Sequence, residues 1–206
     1  MKVILINGSP HTNGCTHRAL LEVANTLNVE GINTEIIQVG DKDIRGCNAC
    51  GYCHSGNNGC VYDDIVNEVA RKFEQADGLI IGSPVYYASA NGTMISFLDR
   101  LFYSTTFDKT MKIGASVVSC RRAGNTATFD ILNKYFGISS MPIVTSKYWN
   151  QVHGASVEDV EKDLEGLQTM RVLGRNMAFL LKSIALGKSQ IGLPIKEQPL
   201  RTNFIR

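Results

Sequence analysis

The chain has 206 residues, 44% of them hydrophobic and 19% charged, with a formal net charge of +2. That length fits a single domain over 1–206, and the composition is that of a globular protein rather than a disordered or fibrous one. Lys and Arg are too dispersed for a nucleic-acid or anionic-lipid surface, and no apolar run nears the ~20 residues that span a bilayer.

The opening "MKVILINGSP" is too short, and lacks the cleavage site, for an export signal. It reads as a first strand, "KVILIN", and the cytoplasm, where thiols stay reduced, is the expected location. A helix follows over "THRALLEVANTLNVEG", with Leu20, Val23, Ala24 and Leu27 at helical spacing. Strand "NTEIIQV" comes next, then a cysteine-rich loop over 46–62, then helix "DDIVNEVARKFEQA", where Asp63 and Asp64 suit the helix start. The alternation continues with strand "DGLIIGSP", helix "ASANGTMISFLDRLFYS", strand "MKIGASVVS", helix "NTATFDILNKYFG" and strand "MPIVTS". A single long helix over 156–184 and an irregular tail over 187–206 close the chain; the apolar face of that helix is expected in the core or at a dimer contact. Apolar strands alternating with helices predict an α/β fold, a doubly wound five-stranded parallel sheet covered on both faces.

In such a sheet ligands bind at the carboxyl ends of the strands. The first of those ends, "NGSPHTNGCTHRAL", carries the Ser9 and Thr16 hydroxyls, Gly8 and Gly14, and a helix N-terminus. These are the parts of a phosphate cradle, although an ordinary capped turn uses the same residues. The loop is neither GxGxxG nor GxxxxGK[ST], so neither a Rossmann dinucleotide site nor a P-loop is supported. After strand three, Tyr86 and Tyr87 offer faces for a flat ring. After strand four, "SCRRAGNTATF" brings cations, amides and a glycine. Together the three ends describe a site for a phosphate attached to an aromatic ring. "SKYWNQVHG" adds Trp149, Asn150 and His153 as candidates for shaping a substrate pocket.

"CNACGYCHSGNNGC" holds four of the six cysteines, Cys47, Cys50, Cys53 and Cys60. Four thiolates suit either a 4Fe-4S cluster or tetrahedral zinc, and successive two-residue gaps lean towards iron-sulfur ligation. A metal-free loop stays open as an alternative, and a disulfide is the least favoured.

Taken together, these segments resemble the flavodoxin-like NAD(P)H-dependent FMN reductase family, especially its iron-sulfur flavoprotein branch. The likeness spans about residues 1 to 185: "GSPHTNGCT" is similar to the family's "GSPR..GNT", "PVYYASANGTMISFLDR" to "PVYYGS.SG..K.F.DR", and, more loosely, "AGNTAT" to "GG.E.T". The resemblance implies that Ser9, His11, Asn13, Gly14, Cys15 and Thr16 surround the FMN phosphate. Pro84, Val85, Tyr86 and Tyr87 would face the ribityl chain and ring, with Cys120, Arg121 and Gly124 on the ring's other side. His11 stands where the family has Arg, and Cys15 where it has Asn. The first change removes a fixed charge, so phosphate binding is expected to be weaker, or to vary with pH between about 5.5 and 8.

The expected function is therefore an FMN-dependent oxidoreductase. It would pass electrons from NAD(P)H, a transient substrate, or from a protein donor to a small acceptor such as a quinone or flavin. One alternative is an iron-sulfur flavoprotein electron carrier reduced by ferredoxin; another is a zinc-bearing, non-enzymatic interaction module. No side-chain catalyst is named. Exposed aromatic and tail segments lead us to expect a homo-oligomer.

Overall fold

A computed structural model of the chain describes residues 1–200 together with Thr202 and Phe204. The tail expectation for Arg201, Asn203, Ile205 and Arg206 lies outside the described residues.

Strand β1 (Lys2–Asn7) is an apolar run whose alternate side chains enter two cores, Val3 and Leu5 on one face and Ile4 and Ile6 on the other. This follows from the two-residue period of a strand covered on both sides. The parallel partners are β2 (Asn33–Gln38), β3 (Gly78–Tyr86), β5 (Ile113–Cys120) and β6 (Gln151–His153), in the order β2-β1-β3-β5-β6. A two-residue strand β4 (Ser89–Ala90) folds back antiparallel on the end of β3. Order reverses between β1 and β3, which is the switch point where a flavodoxin-like sheet opens its crevice.

Helix α1 (Cys15–Val29) packs Ala19, Leu20, Val23 and Leu27 on one face of the sheet. It shares that face with α5 (Val157–Lys162) and α6 (Leu164–Ile191), through Val160, Met170, Leu173 and Met177. The opposite face is covered by α2 (Ile65–Gln75), α3 (Gly92–Ser104) and α4 (Asn125–Gly137), through Phe73, Phe97, Leu98 and Phe136. Each of these buried aliphatic and aromatic side chains contributes roughly 1.5–3 kcal/mol.

Three expectations need correction. "MPIVTS" forms no strand: only Ile143 bridges to Gly114, and the edge of β5 is paired further on by Gln151–His153. The apolar run was a false guide because Met141 and Val144 are buried as loop residues. The last helix is broken at Asp163, which ends α5 and caps α6 by accepting from the Gly166 amide. And α6 continues through Gly187 to Ile191, so irregular backbone begins at Gly192 rather than 187.

Candidate functional site

The first loop is bound from behind. Asn7, fully buried, accepts from the Ser9 amide at 3.1 Å through Oδ1, while its Nδ2 donates to Gln38 Oε1 at 2.6 Å and to the Thr12 carbonyl at 3.3 Å. Gln38 Nε2 in turn donates to the Ser9 carbonyl at 2.6 Å. Asn91 Nδ2 donates to the Gly8 carbonyl at 2.7 Å, and the Gly14 amide donates to the His11 carbonyl at 3.1 Å. The carbonyls of Gly8, Ser9, His11 and Thr12 are thus all engaged, which removes negative ends from the cleft. Helix α1 then starts at Cys15, with Gly14 as an N-cap that offers no side chain, and has no acidic residue in its first turn. Its orphan amides and partial positive charge are left for an anion. Ser9 Oγ accepts from the His11 amide at 3.2 Å, keeping its own proton to donate.

Gly40 makes this packing possible. A Cβ there would lie 2.3 Å from the Ser9 carbonyl carbon and oxygen, so only glycine lets the end of β2 approach the loop.

An open cleft of about 280 Å³ runs from Ser9, His11, Cys15 and Thr16 to Pro84, Val85 and Tyr86, and to Ser119, Cys120 and Arg121. That is close to the lower end of the ~300–1,000 Å³ of ligand sites. Thr16 and Ser119 join its two sides through a buried hydroxyl pair at 2.8 Å. Gly154 completes a wall, its carbonyl accepting from Cys15 Sγ at 3.7 Å and its amide donating to the Cys120 carbonyl at 3.0 Å. Burial pushes the Cys15 and Cys120 thiols above their ordinary value, so both stay neutral at the cleft. Tyr87 crowns the rim, fully exposed and at φ 51°, in a turn position that normally selects glycine. Gly124, at φ 89°, opens α4 and leaves room for Val85, whose Cγ1 would lie 2.8 Å from an added Cβ. An anion anchor beside a slot edged by aromatic and aliphatic side chains fits FMN.

A second feature lies behind α3. Cys47, Cys50, Cys53 and Cys60 line one small cavity with Tyr62, Arg100, Tyr103 and Ser104. Cys53 is buried; burial, and then the neighbouring thiols of Cys60, Cys50 and Cys47, push its thiol up. Any metal bound there must therefore displace protons. Among the described residues no three His, Cys, Asp or Glu side chains converge as a ready metal-holding group. Each thiolate of a four-iron cubane binds a different iron, so its ligands surround a volume instead of meeting at a point. Four soft donors around a cavity with no carboxylate in its lining fit that donor set.

Arg100 holds this region together. Its side chain is fully buried, and all five N–H groups are used. Nη1 and Nη2 donate to Asp64 at 2.6 and 2.9 Å, Nε to Cys60 Sγ at 3.2 Å, and the remaining two to the carbonyls of Arg45 and Tyr62 at 3.2 and 3.4 Å. Both ends of the cysteine loop are thereby fastened to α3. Asp64 does double duty, since its Oδ1 also caps α2 at the Val66 amide.

Residues 1–155 match the NADPH-dependent FMN reductase family. The chain belongs to that family. It is 34% identical over 192 residues to an iron-sulfur flavoprotein of Methanocaldococcus jannaschii, covering 89% of this chain and 99% of the relative. An iron-sulfur flavoprotein of Methanosarcina thermophila is 26% identical over 188 residues, covering 89% of this chain and 97% of the relative. The fold is similar to that of an NAD(P)H:quinone oxidoreductase from Methanothermobacter marburgensis, with TM-score 0.66, 16% identity and coverage of 86% of this chain and 98% of that one. The flavodoxin-like fold and an FMN-dependent oxidoreductase activity follow from membership of the FMN reductase family.

For this FMN reductase family member, the cleft gathers Ser9, His11, Cys15, Thr16, Pro84, Val85, Tyr86, Cys120 and Arg121 from the expected set. Asn13, Gly14, Tyr87 and Gly124 stand outside its lining, as rim or supporting positions. Trp149 and His153 line a separate recess with Asp163 and Thr169, and Asn150 is buried, accepting from Ser146 Oγ at 2.7 Å. Sequence reasoning missed Gly40, Gly154 and Arg100, and placed Ser119 in its strand-end loop without giving it a role. For Ser119 the signal was present, a hydroxyl at a strand end.

Proposed function

We propose that this chain is an iron-sulfur flavoprotein, with FMN in the cleft at the β1 and β3 ends and a 4Fe-4S cluster on Cys47, Cys50, Cys53 and Cys60. The observation that carries the reading is that four cysteines spread over fourteen positions line one cavity of an FMN reductase fold. The names of the related iron-sulfur flavoproteins support it. When bound, FMN supplies hydride and single-electron chemistry and the cluster single-electron transfer. The protein's part is to hold and orient. The amides of α1 and the Ser9 hydroxyl would bind the phosphate, Val85 and Tyr86 would flank the ring, and neutral Cys15 and Cys120 would place no thiolate charge against it. The open side of the cleft would admit an acceptor to bound FMN, with ferredoxin or a similar protein as the donor.

The open cleft beside Tyr86 also favours a second reading, in which NAD(P)H docks transiently and a quinone or free flavin is reduced. No helix among the described residues is long and apolar enough to cross a membrane. Exposed Phe179, Leu186, Ile191, Ile195 and Leu200 support assembly with further copies of the chain.

The test is anaerobic purification with FMN, followed by an absorbance spectrum and assay of iron and acid-labile sulfide. About four of each per chain, alongside flavin, is expected; flavin without iron after reconstitution defeats the cluster, and no flavin defeats the whole reading. Reduction by ferredoxin with indifference to nicotinamides separates the two donors.

A further inference from the structure

Two polar side chains one turn apart on α3 face the cysteine cavity, and the flavin site uses neither. Arg100 donates through Nε to Cys60 Sγ at 3.2 Å while Asp64 grips the other side of the same guanidinium. Ser104 is 3% exposed, and its Oγ has no hydrogen-bond partner. Buried hydroxyls in folded proteins are nearly always partnered, and leaving one bare costs about 1–3 kcal/mol. Ser104 borders the cavity shared with the four cysteines, and also an open recess beside Phe107.

We propose that Arg100 and Ser104 are the hydrogen-bond donors that set the reduction potential of an iron-sulfur cluster held by the four cysteines, with the hydroxyl of Ser104 reserved for a sulfur of that cluster. The inference rests on the cluster reading above. A reduced cluster is more negative than an oxidised one, so a donor to sulfur and a fixed positive charge both favour the reduced form and raise the potential. Arg100 provides the charge and one donor; Asp64 aims the guanidinium but also moderates its field, being paired with it. The Ala49 amide adds a backbone donor to Cys47 Sγ at 3.4 Å that no side-chain substitution removes. The buried position of Arg100 keeps solvent from screening its effect. Arg100 and Ser104 are positioning residues: neither ligates iron.

The decisive experiment compares wild type, Arg100→Lys and Ser104→Ala after anaerobic reconstitution, each assayed for iron and then titrated spectroelectrochemically. Ser104→Ala is expected to hold full iron, to leave the iron-free chain at least as heat-stable as wild type because a bare buried hydroxyl is gone, and to lower the midpoint potential. Arg100→Lys keeps the charge but not the fork of donors, and is expected to lower the potential as well. Unchanged potentials in both variants at full iron overturn the proposal, and an unchanged potential in one removes that residue from it. An idle hydroxyl that meets only water in the recess beside Phe107 gives this second result for Ser104. If Arg100→Lys fails to hold iron, Ser104→Ala alone decides. A wild-type chain that takes up no iron overturns the cluster reading, and the proposal with it.

Discussion

Thr16 Oγ1 and Ser119 Oγ share a buried 2.8 Å hydrogen bond that ties the first turn of α1 to the end of β5, across the floor of the cleft. Thr16→Val keeps the shape and leaves the Ser119 hydroxyl bare. Urea unfolding is expected to show a loss of about 1–3 kcal/mol. Adding Ser119→Ala recovers part of it, so the double variant is less impaired than the two single losses summed.

Gly40→Ala tests whether the loop after β1 holds the FMN phosphate. The added methyl meets the Ser9 backbone, which cannot yield without moving the loop. Titration of FMN by fluorescence quenching is expected to show affinity reduced at least about tenfold, equivalent to ~1.4 kcal/mol. An unchanged affinity would mean that the loop does not hold the phosphate.

His11→Arg restores a permanent fork-shaped donor at an exposed position of the same loop. Tighter FMN binding than wild type is expected in a fluorescence titration; an unchanged affinity would mean that residue 11 does not face the phosphate.

Acid should loosen the α1–α6 contact. Burial works against the charge of Glu22, but hydrogen bonds from Arg171 and Arg18 outweigh it and hold the carboxyl below its ordinary value of 4.5. A depressed folded value stabilises the protein above the unfolded one, and that stability drains away as pH falls from about 4.5 through the folded value. His17, also depressed, by burial, adds a loss of the same sign as pH falls below about 6.5. Melting temperatures across this range should decline less steeply for Glu22→Gln than for wild type.

What the sequence disclosed was local, and what it hid was tertiary. Leu20, Val23 and Leu27 announced α1 by spacing, and Asp64 was recognisable as a helix start. Its bond to Arg100, 36 residues away, was not, because a charged residue inside a helix pattern ordinarily reads as solvated. The edge strand Gln151–His153 carries too few apolar residues to stand out, while "MPIVTS" looked like a strand and packs as a loop. Misplacing that edge also concealed Gly154, which follows it at the cleft wall. Nine cleft residues were legible because the resemblance named them loop by loop. Gly40 was invisible because its requirement is set by the Ser9 backbone and not by its own neighbours.

Helix α3 acts as a ruler. At its start Asn91 caps the helix and grips the Gly8 carbonyl of the first loop; nine residues on, Arg100 closes the cysteine cavity. With a rise of about 1.5 Å and a turn of about 100° per residue, that interval fixes both a separation of ~14 Å along the axis and a heading. Inserting one residue would swing Arg100 away from Asp64 with Asn91 undisturbed, while inserting four would restore the heading and displace the contact by ~6 Å. The length of α3 is therefore constrained more tightly than its solvent-facing composition.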